Sequence, residues 1–322
     1  MKFQIDILGL GCTAVDELIY VPAYPPADAK ARVLRRERQC GGLTATALVA
    51  AARLGARCAY AGVLGEDGQS RFVLDSLQRE GVDVSHVLRR AGVRPIQSVI
   101  VVGERRKTRN IFFSLDGVLG AGAKTPSKEV VCSAGVLLVD LYGVPGMIRA
   151  ARLARAAGIP VVGDFERSDV PGFDRLLPLV DHLIVPSDFA CKLTGASHPA
   201  AAAAKLWAAD SPPKWRRSVV VVTCGANGCY YIDSERKQPE HGPAFKVKVS
   251  DTTGCGDVFH GAYAAALARG MALRERIRFA AAAAALKATK PGGQAGIPTR
   301  AALEEFLQAQ TAPLQTGRRL EA

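Results

Sequence analysis

The sequence predicts an α/β fold: a mostly parallel central sheet covered by helices on both faces, with a small inserted β-sheet. Three observations carry that prediction. Apolar strands run without polar alternation, as strands buried on both faces do. Helical stretches lie between them and close on glycine, the preferred residue just past a helix end. Two stretches, 17–38 and 96–113, break the rhythm with polar, proline-bearing and β-branched residues.

Phe3–Leu8 is a short apolar run ending at Gly9 and Gly11, a buried strand entering a tight turn. Gly42–Leu54 reads as an alanine-rich helix closed by Gly55, Cys58–Val63 as a strand, and Asp67–Glu80 as a helix closed by Gly81. Ile96–Val102 and Thr108–Phe113 form a hairpin across the basic turn 103–107. Val136–Leu141 is a strand, Met147–Ala157 a helix ending at Gly158, and Ile159–Gly163 the next strand, leading to Asp164. Phe173–Pro178 is a short helix or turn, His182–Val185 a strand, and Asp188–Leu193 the start of a helix closed by Gly195. Val219–Thr223 is a strongly β-branched strand, followed later by helices over Val258–Arg269, Leu273–Lys287 and Arg300–Gln310. The expected division is a main domain of 1–16, 34–93 and 114–312, a lid of 17–33 and 94–113, and a tail of 313–322.

A chain of 322 residues with 48% hydrophobic content readily supplies one large core. The formal net charge of +12 favours anionic partners in general. The basic residues are scattered in short clusters (Arg35-Arg36, Arg89-Arg90, Arg105-Arg106-Lys107, Arg216-Arg217), which argues for a solvated surface over a nucleic-acid face. Eight cysteines without a CxxC pair suit free thiols in a reducing compartment. Five histidines without metal-ligand spacing disfavour a structural zinc site. The N-terminus lacks a signal-peptide pattern, and the apolar run Ala280–Leu286 is far too short to span a bilayer. The expectation is a cytoplasmic protein away from membranes.

In open parallel sheets, ligands bind at the carboxyl ends of the strands. Asp140, Asp164, Ser187-Asp188, Thr223-Cys224-Gly225 and the run Asp251-Thr252-Thr253-Gly254-Cys255-Gly256-Asp257 all fall there. The last is the most informative. A small-residue turn between a valine-bearing strand and a helix can aim backbone N–H groups into one anion-binding concavity. The Asp257 carboxylate at its mouth suggests a general base for phosphoryl transfer; the competing reading makes it a cap on a helix starting near Val258. Asp16, just after the first strand, can accept two hydrogen bonds from vicinal hydroxyls, or can be a local cap. Gly41-Gly42 admits close backbone approach to a ligand, with Thr44 and Thr46 at the same helix start. The glycines of Thr223-Cys224-Gly225-Ala226-Asn227-Gly228 permit a hairpin lying against a flat ring. Neither a GxGxxG nor a Walker A lysine motif is present, which disfavours a dinucleotide site or a P-loop. Arg109 can close over phosphate from the hairpin, whereas 105–107 read as a solvated tip. His260, three positions past Asp257, reads as a packing histidine.

On these residues the chain resembles the ribokinase-like sugar kinases, the PfkB family. The strongest match is Asp251–Asp257 with the following helix, against the family's second signature. The first signature is similar to Gly41–Thr46 extended through Ala52-Arg53-Leu54-Gly55. Gly9 with Asp16, Gly62 to Gly68, Gly81-Val82-Asp83, Thr223–Gly228, and Gly293 before Pro298 add matches in family order. The resemblance implies a three-layer ribokinase-like fold and ATP-dependent phosphorylation of a primary hydroxyl on a ketohexose or pentose. It implies Asp257 as base and Gly254, Cys255 and Gly256 as anion hole. Asp16, Gly41, Gly42, Thr46 and Arg109 fall on the substrate side, and Ser187, Thr223, Gly225 and Gly228 on the ATP side. It further implies Mg2+, with Asp188 and Glu166 as candidate ligands, monovalent cation activation, and a homodimer formed through the lid. Two departures stand out. Thr46 takes a place usually held by an amide side chain. Ser187-Asp188-Phe189-Ala190 replaces the usual Asn-Glu-x-Glu, closer to the ketohexokinase pattern. Alternatives are a nucleoside kinase of the same fold, with Tyr20, Tyr24, Phe112 and Phe113 available for a second ring, and a non-catalytic anion- or nucleic-acid-binding protein.

Overall fold

Four consecutive valines, Val219 to Val222, are all buried, and alternate members enter two different hydrophobic cores. A strand can do this only with apolar layers on both of its faces, which is why its sequence shows no polar alternation. Each such valine gains about 1.5–3 kcal/mol from leaving water.

The computed structural model describes residues 3–105, 108–209 and 217–310. The chain begins with β1 (Ile5–Leu10), β2 (Ala14–Val21), β3 (Arg35–Gly41), α1 (Leu43–Arg53), β4 (Cys58–Tyr60) and β5 (Val63–Leu64). It continues with α2 (Gly68–Arg79), β6 (Leu88–Arg89), β7 (Ile96–Gly103), β8 (Thr108–Ser114), α3 (Lys128–Cys132), β9 (Ala134–Val139) and α4 (Val144–Ala156). Then come β10 (Val161–Asp164), α5 (Phe173–Leu176), β11 (His182–Pro186), α6 (Ser187–Thr194), α7 (Pro199–Ala208) and β12 (Val219–Thr223). The last elements are β13 (Cys229–Asp233), β14 (Glu240–Gly242), α8 (Cys255–Ala268), α9 (Leu273–Ala288) and α10 (Arg300–Ala309).

The main sheet has the order β14-β13-β12-β11-β10-β9-β1-β4. It is parallel from β4 to β12, with β13 and β14 added antiparallel at one edge. Helices α1, α2, α8, α9 and α10 cover one face, and α3 to α7 the other. The fold is thus the expected three-layer α/β arrangement with a separate small sheet. That second sheet runs β3-β2-β7-β8, with β2 and β7 parallel and the outer pairs antiparallel. Its strands extend past the expected 17–33 and 94–113 segments: β2 starts at Ala14, and β3 pairs with it along Arg35–Gly41.

Several elements differ from the sequence reading. The strand expected over Cys58–Val63 is two pieces, because Val63–Leu64 leaves the main sheet to pair with Leu88–Arg89. The helix expected from Val258 begins at Cys255, because Gly254 takes a left-handed conformation (φ 75°) that turns the chain into the helix earlier. Asp257 therefore lies inside the first turn and is not its cap. Helices α3 and α7 and strands β13 and β14 have no counterpart in the sequence reading beyond the hairpin permitted at Gly225–Gly228. Arg217, grouped with the solvated basic clusters, is buried and donates to the carbonyls of Val180 and Leu177 at 3.2 and 3.3 Å. Arg106, Lys107, Arg216 and the tail 313–322 lie outside the described residues. Among the described residues no helix is long and apolar enough to cross a membrane.

Helix contact positions the site. A Cβ at Gly261 would lie 2.0 Å from the Ala47 carbonyl oxygen, so α8 and α1 touch backbone to backbone. Alanines on both helices allow the approach. The N-termini of α1 and α8, bearing Gly42 and Asp257, are set by one packed helix pair.

Candidate active site

Asp251 organises the turn before α8. One carboxylate oxygen accepts the Thr253 N–H at 2.8 Å and the Thr253 hydroxyl at 2.7 Å. The other accepts the Gly292 N–H at 2.9 Å. These hydrogen bonds hold the carboxyl below its ordinary value against the opposing effect of burial, and the nearby Lys287 charge adds to the lowering. The turn is also tied to the end of α9, where the Ala288 carbonyl accepts from the N–H groups of Ser250 and Asp251. The first N–H groups of a helix lack intrahelical acceptors. Here that of Cys255 bonds to the Thr252 carbonyl at 3.2 Å, and those of Gly256 and Asp257 follow it at the helix mouth.

Asp257 sits among other acids. Burial pushes its carboxyl well up, Asp164, Glu166 and Asp140 reinforce this, and His260 opposes it. Asp164, on β10, is buried with one oxygen lacking a hydrogen-bond donor and is likewise pushed up. His260 lies beneath Asp257. Its ring nitrogens contact the carbonyls of Gly256 at 2.8 Å and Ile184 at 3.0 Å, and Asp164 at 3.3 Å. It fastens α8 to the strand ends, in line with its reading as a packing histidine. Asp140 is a second fastener: it accepts from Cys12 N–H, Thr44 hydroxyl and Tyr142 N–H within 2.8 Å. Burial raises its carboxyl to about 6.

A cavity of about 800 Å³ opens beside the turn. Thr223, Gly225, Gly228, Cys255 and Gly256 line it together; Ser187 and Gly254 lie outside its walls. A Cβ at Gly228 would lie 2.1 Å from the Gly242 carbonyl, which fixes glycine there. The sequence reading missed most of the apolar wall, formed by 243–247, Phe259 and the small side chains of Ala281, Ala284 and Ala285. The alanine run of α9 was visible as sequence. What it faces is a tertiary fact.

On the other side, a Cβ at Gly41 would lie 2.2 Å from an Asp16 carboxylate oxygen, so the absent side chain makes room for Asp16. Burial raises the Asp16 carboxyl while the Ser98 hydroxyl lowers it. Cross-strand register places Gln39, Asp16, Ser98 and Phe113 in one row on one face of the small sheet. Thr46 is buried, and its hydroxyl accepts from the Gln294 amide at 3.2 Å. An amide thus does reach this position, from the α9–α10 connection. That connection also bonds Gly293 N–H to Gln39 at 3.2 Å, joining small sheet, α1 and the 251–257 turn at one node. Arg109 on β8 reaches the turn from above, donating to Asp251 at 2.7 Å and contacting Thr253.

Asp188 and Glu166 are both exposed. Among the described residues no cluster of three His, Cys, Asp or Glu side chains forms a metal cage. Mg2+ keeps several waters and takes phosphate oxygens with one or two carboxylates. Glu166, exposed and acting electrostatically on Asp257, could provide one such carboxylate.

The family model of pfkB carbohydrate kinases matches residues 10–300. The chain is 28% identical to the ribokinase of Haemophilus influenzae over 93% of this chain and 97% of that protein. It is 30% identical to the aminoimidazole riboside kinase of Salmonella typhimurium, over 84% and 88%. A provisionally assigned ribokinase from Agrobacterium tumefaciens superposes with a TM-score of 0.87, at 27% identity, over 96% of this chain and 99% of that one. The Arabidopsis thaliana ribokinase complexed with ribose and ATP shares the fold, with a TM-score of 0.81 at 23% identity over 94% and 99%. The chain belongs to the pfkB family of carbohydrate kinases and is an ATP-dependent sugar kinase.

Proposed function

We propose that this kinase phosphorylates a primary hydroxyl of a pentose or ketohexose, with Asp257 as the base and the N-terminus of α8 as the anion hole. The observation that carries the reading is one geometry: Asp257 in the first turn of a helix whose N-terminus borders the 800 Å³ cavity. ATP occupies that cavity, its ring against the alanine face of α9 and its phosphates toward Gly256. The sugar lies under the small sheet, with hydroxyls on Asp16, the Gly42 backbone, Gln39 and the Thr46–Gln294 pair.

Asp257 takes the proton of the acceptor hydroxyl as its oxygen bonds to the γ-phosphorus. The bond from γ-phosphorus to the bridging oxygen breaks, and ADP leaves. Burial raises the Asp257 carboxyl, which makes its ionised form a stronger base than an ordinary carboxylate. The helix N-terminus and turn meet the developing phosphoryl charge. Glu166 would help hold Mg2+, which when bound would supply further charge neutralisation. Arg109 exchanges Asp251 for phosphate, and the small sheet acts as a lid that excludes water. The exposed apolar side chains Val99, Ile111, Phe112 and Phe113 on β7 and β8 support a homodimer formed through these lids, each copy covering the other's edge.

A nucleoside acceptor is the second reading. Phe113, 62% exposed on the Asp16 face of the lid, offers a stacking surface for a second ring. Tyr20, by contrast, is buried beneath Arg35. ADP release with Mg-ATP across ribose, fructose, other sugars and nucleosides tests both. Turnover on a sugar supports the first reading, turnover confined to nucleosides the second, and turnover on neither class overturns both.

A further inference from the structure

Lysine is among the residues least often fully buried, because its ammonium is strongly hydrated. Lys287, in the last turn of α9, is 0% exposed. Its Nζ donates to the Asp251 carbonyl oxygen at 2.9 Å. That bond is to backbone, so Lys287 is not held as half of a simple ion pair. The charged and titratable groups acting on it are Cys255 and Asp257 from α8, Asp251 from the turn, and Arg109 from β8. Burial pushes its ammonium toward the neutral form, while Cys255, Asp251 and Asp257 pull it back. The C-terminal end of α9, with its partial negative charge, also favours a cation in this place.

We propose that the Lys287 ammonium is a built-in cation of the anion turn, a positioning residue that clamps Asp251 from below and adds positive charge behind the phosphate site. This rests on the reading of 251–257 as the phosphate-binding turn. Asp251 then lies between two cations with different duties. Arg109, on the lid, is 39% exposed and free to exchange partners. Lys287 is enclosed and stays. With a resident ammonium in place, the turn has no need of a dissolved monovalent ion, in contrast to the activation expected from the family resemblance.

The test is Mg-ATP binding by calorimetry in a tetramethylammonium buffer, which needs no acceptor sugar. Wild type, Lys287→Ala, Lys287→Met and Asp257→Asn are compared, with and without added methylammonium, K+ or Na+. Wild-type affinity should be indifferent to the added ion. Both Lys287 variants should bind roughly ten- to hundredfold more weakly, less than the loss of a direct oxyanion donor. Methylammonium or K+ should restore Lys287→Ala, which leaves a space, but not Lys287→Met, which fills it without charge. The proposal is overturned if Lys287→Met binds as wild type, if folded Lys287→Ala responds to none of the cations, or if K+ strongly tightens wild-type binding. Failure of the base reading shows elsewhere, as retained turnover in Asp257→Asn. Failure of the phosphate-site reading shows as wild type that binds no Mg-ATP.

Discussion

Replacing Asp251 by alanine tests how the 251–257 turn is held. The carboxylate accepts two backbone N–H groups, of Thr253 and Gly292, besides the Thr253 hydroxyl and Arg109. Hydrogen bonds to a charged acceptor are worth about 1.5–3 kcal/mol each, so the two backbone donors amount to about 3–6 kcal/mol. The side chain is 21% exposed. Water entering the site returns part of this, leaving about 2–4 kcal/mol. The Arg109 pair lies nearer the surface and adds about 1 kcal/mol at most. A chain of this length has an unfolding entropy of roughly 0.7 kcal/mol/K, so Tm should fall by about 3–6 °C. Asp251→Asn, keeping one acceptor oxygen, should lose less. Sign follows from the lowered carboxyl: its contribution is complete above the unfolded value near pH 4 and is lost as pH falls through the folded one, so the two melting curves converge in acid. Thermal melts across pH and Mg-ATP calorimetry provide the readouts. An Asp251→Ala variant melting within about 1 °C of wild type at neutral pH, with unchanged Mg-ATP affinity, would refute the reasoning.

Two further outcomes follow from the site. The proposed role of Asp257 as base requires it to be ionised, and burial with Asp164, Glu166 and Asp140 pushes its carboxyl up. The acid limb of the kcat/KM profile should therefore lie above the ordinary carboxylate range, and Glu166→Gln should move it to lower pH; a limb that stays put belongs to another group. Gln294→Ala removes the amide that meets Thr46 and should raise the sugar KM roughly tenfold with less change in kcat. Steady-state kinetics on the preferred acceptor checks this, and an unchanged KM would remove Gln294 from the sugar site.

The local chemistry was legible in the sequence wherever one segment carries it. The run Asp251–Asp257 announces its turn through small residues, and the unbroken apolar strands announce a doubly covered sheet. Gly42 and Gly228 mark places where backbone must approach closely, and a Cβ at either would strike neighbouring backbone. What stayed hidden depends on partners distant in the chain. Thr46 looks like the loss of an amide until Gln294, 248 residues later, supplies one. Lys287 reads as an ordinary basic residue at a helix end until its burial beneath Asp251 is seen. Helix α8 starts three residues before the position its apolar run marks, because a left-handed Gly254 admits the helix earlier. Strand β3, with three arginines in seven residues, does not look like a strand; it pairs with β2 at the edge of the small sheet without an apolar pattern.

The central claim is that Asp257 removes the proton at a site where the α8 N-terminus holds the phosphate. The most direct measurement is turnover of Asp257→Asn beside its Mg-ATP affinity, on the acceptor that wild type prefers. Loss of a positioned base should cut kcat by roughly 10²–10⁴-fold while Mg-ATP binds as before. Near-normal kcat with intact binding would contradict the account, because the proton would then be leaving by another route.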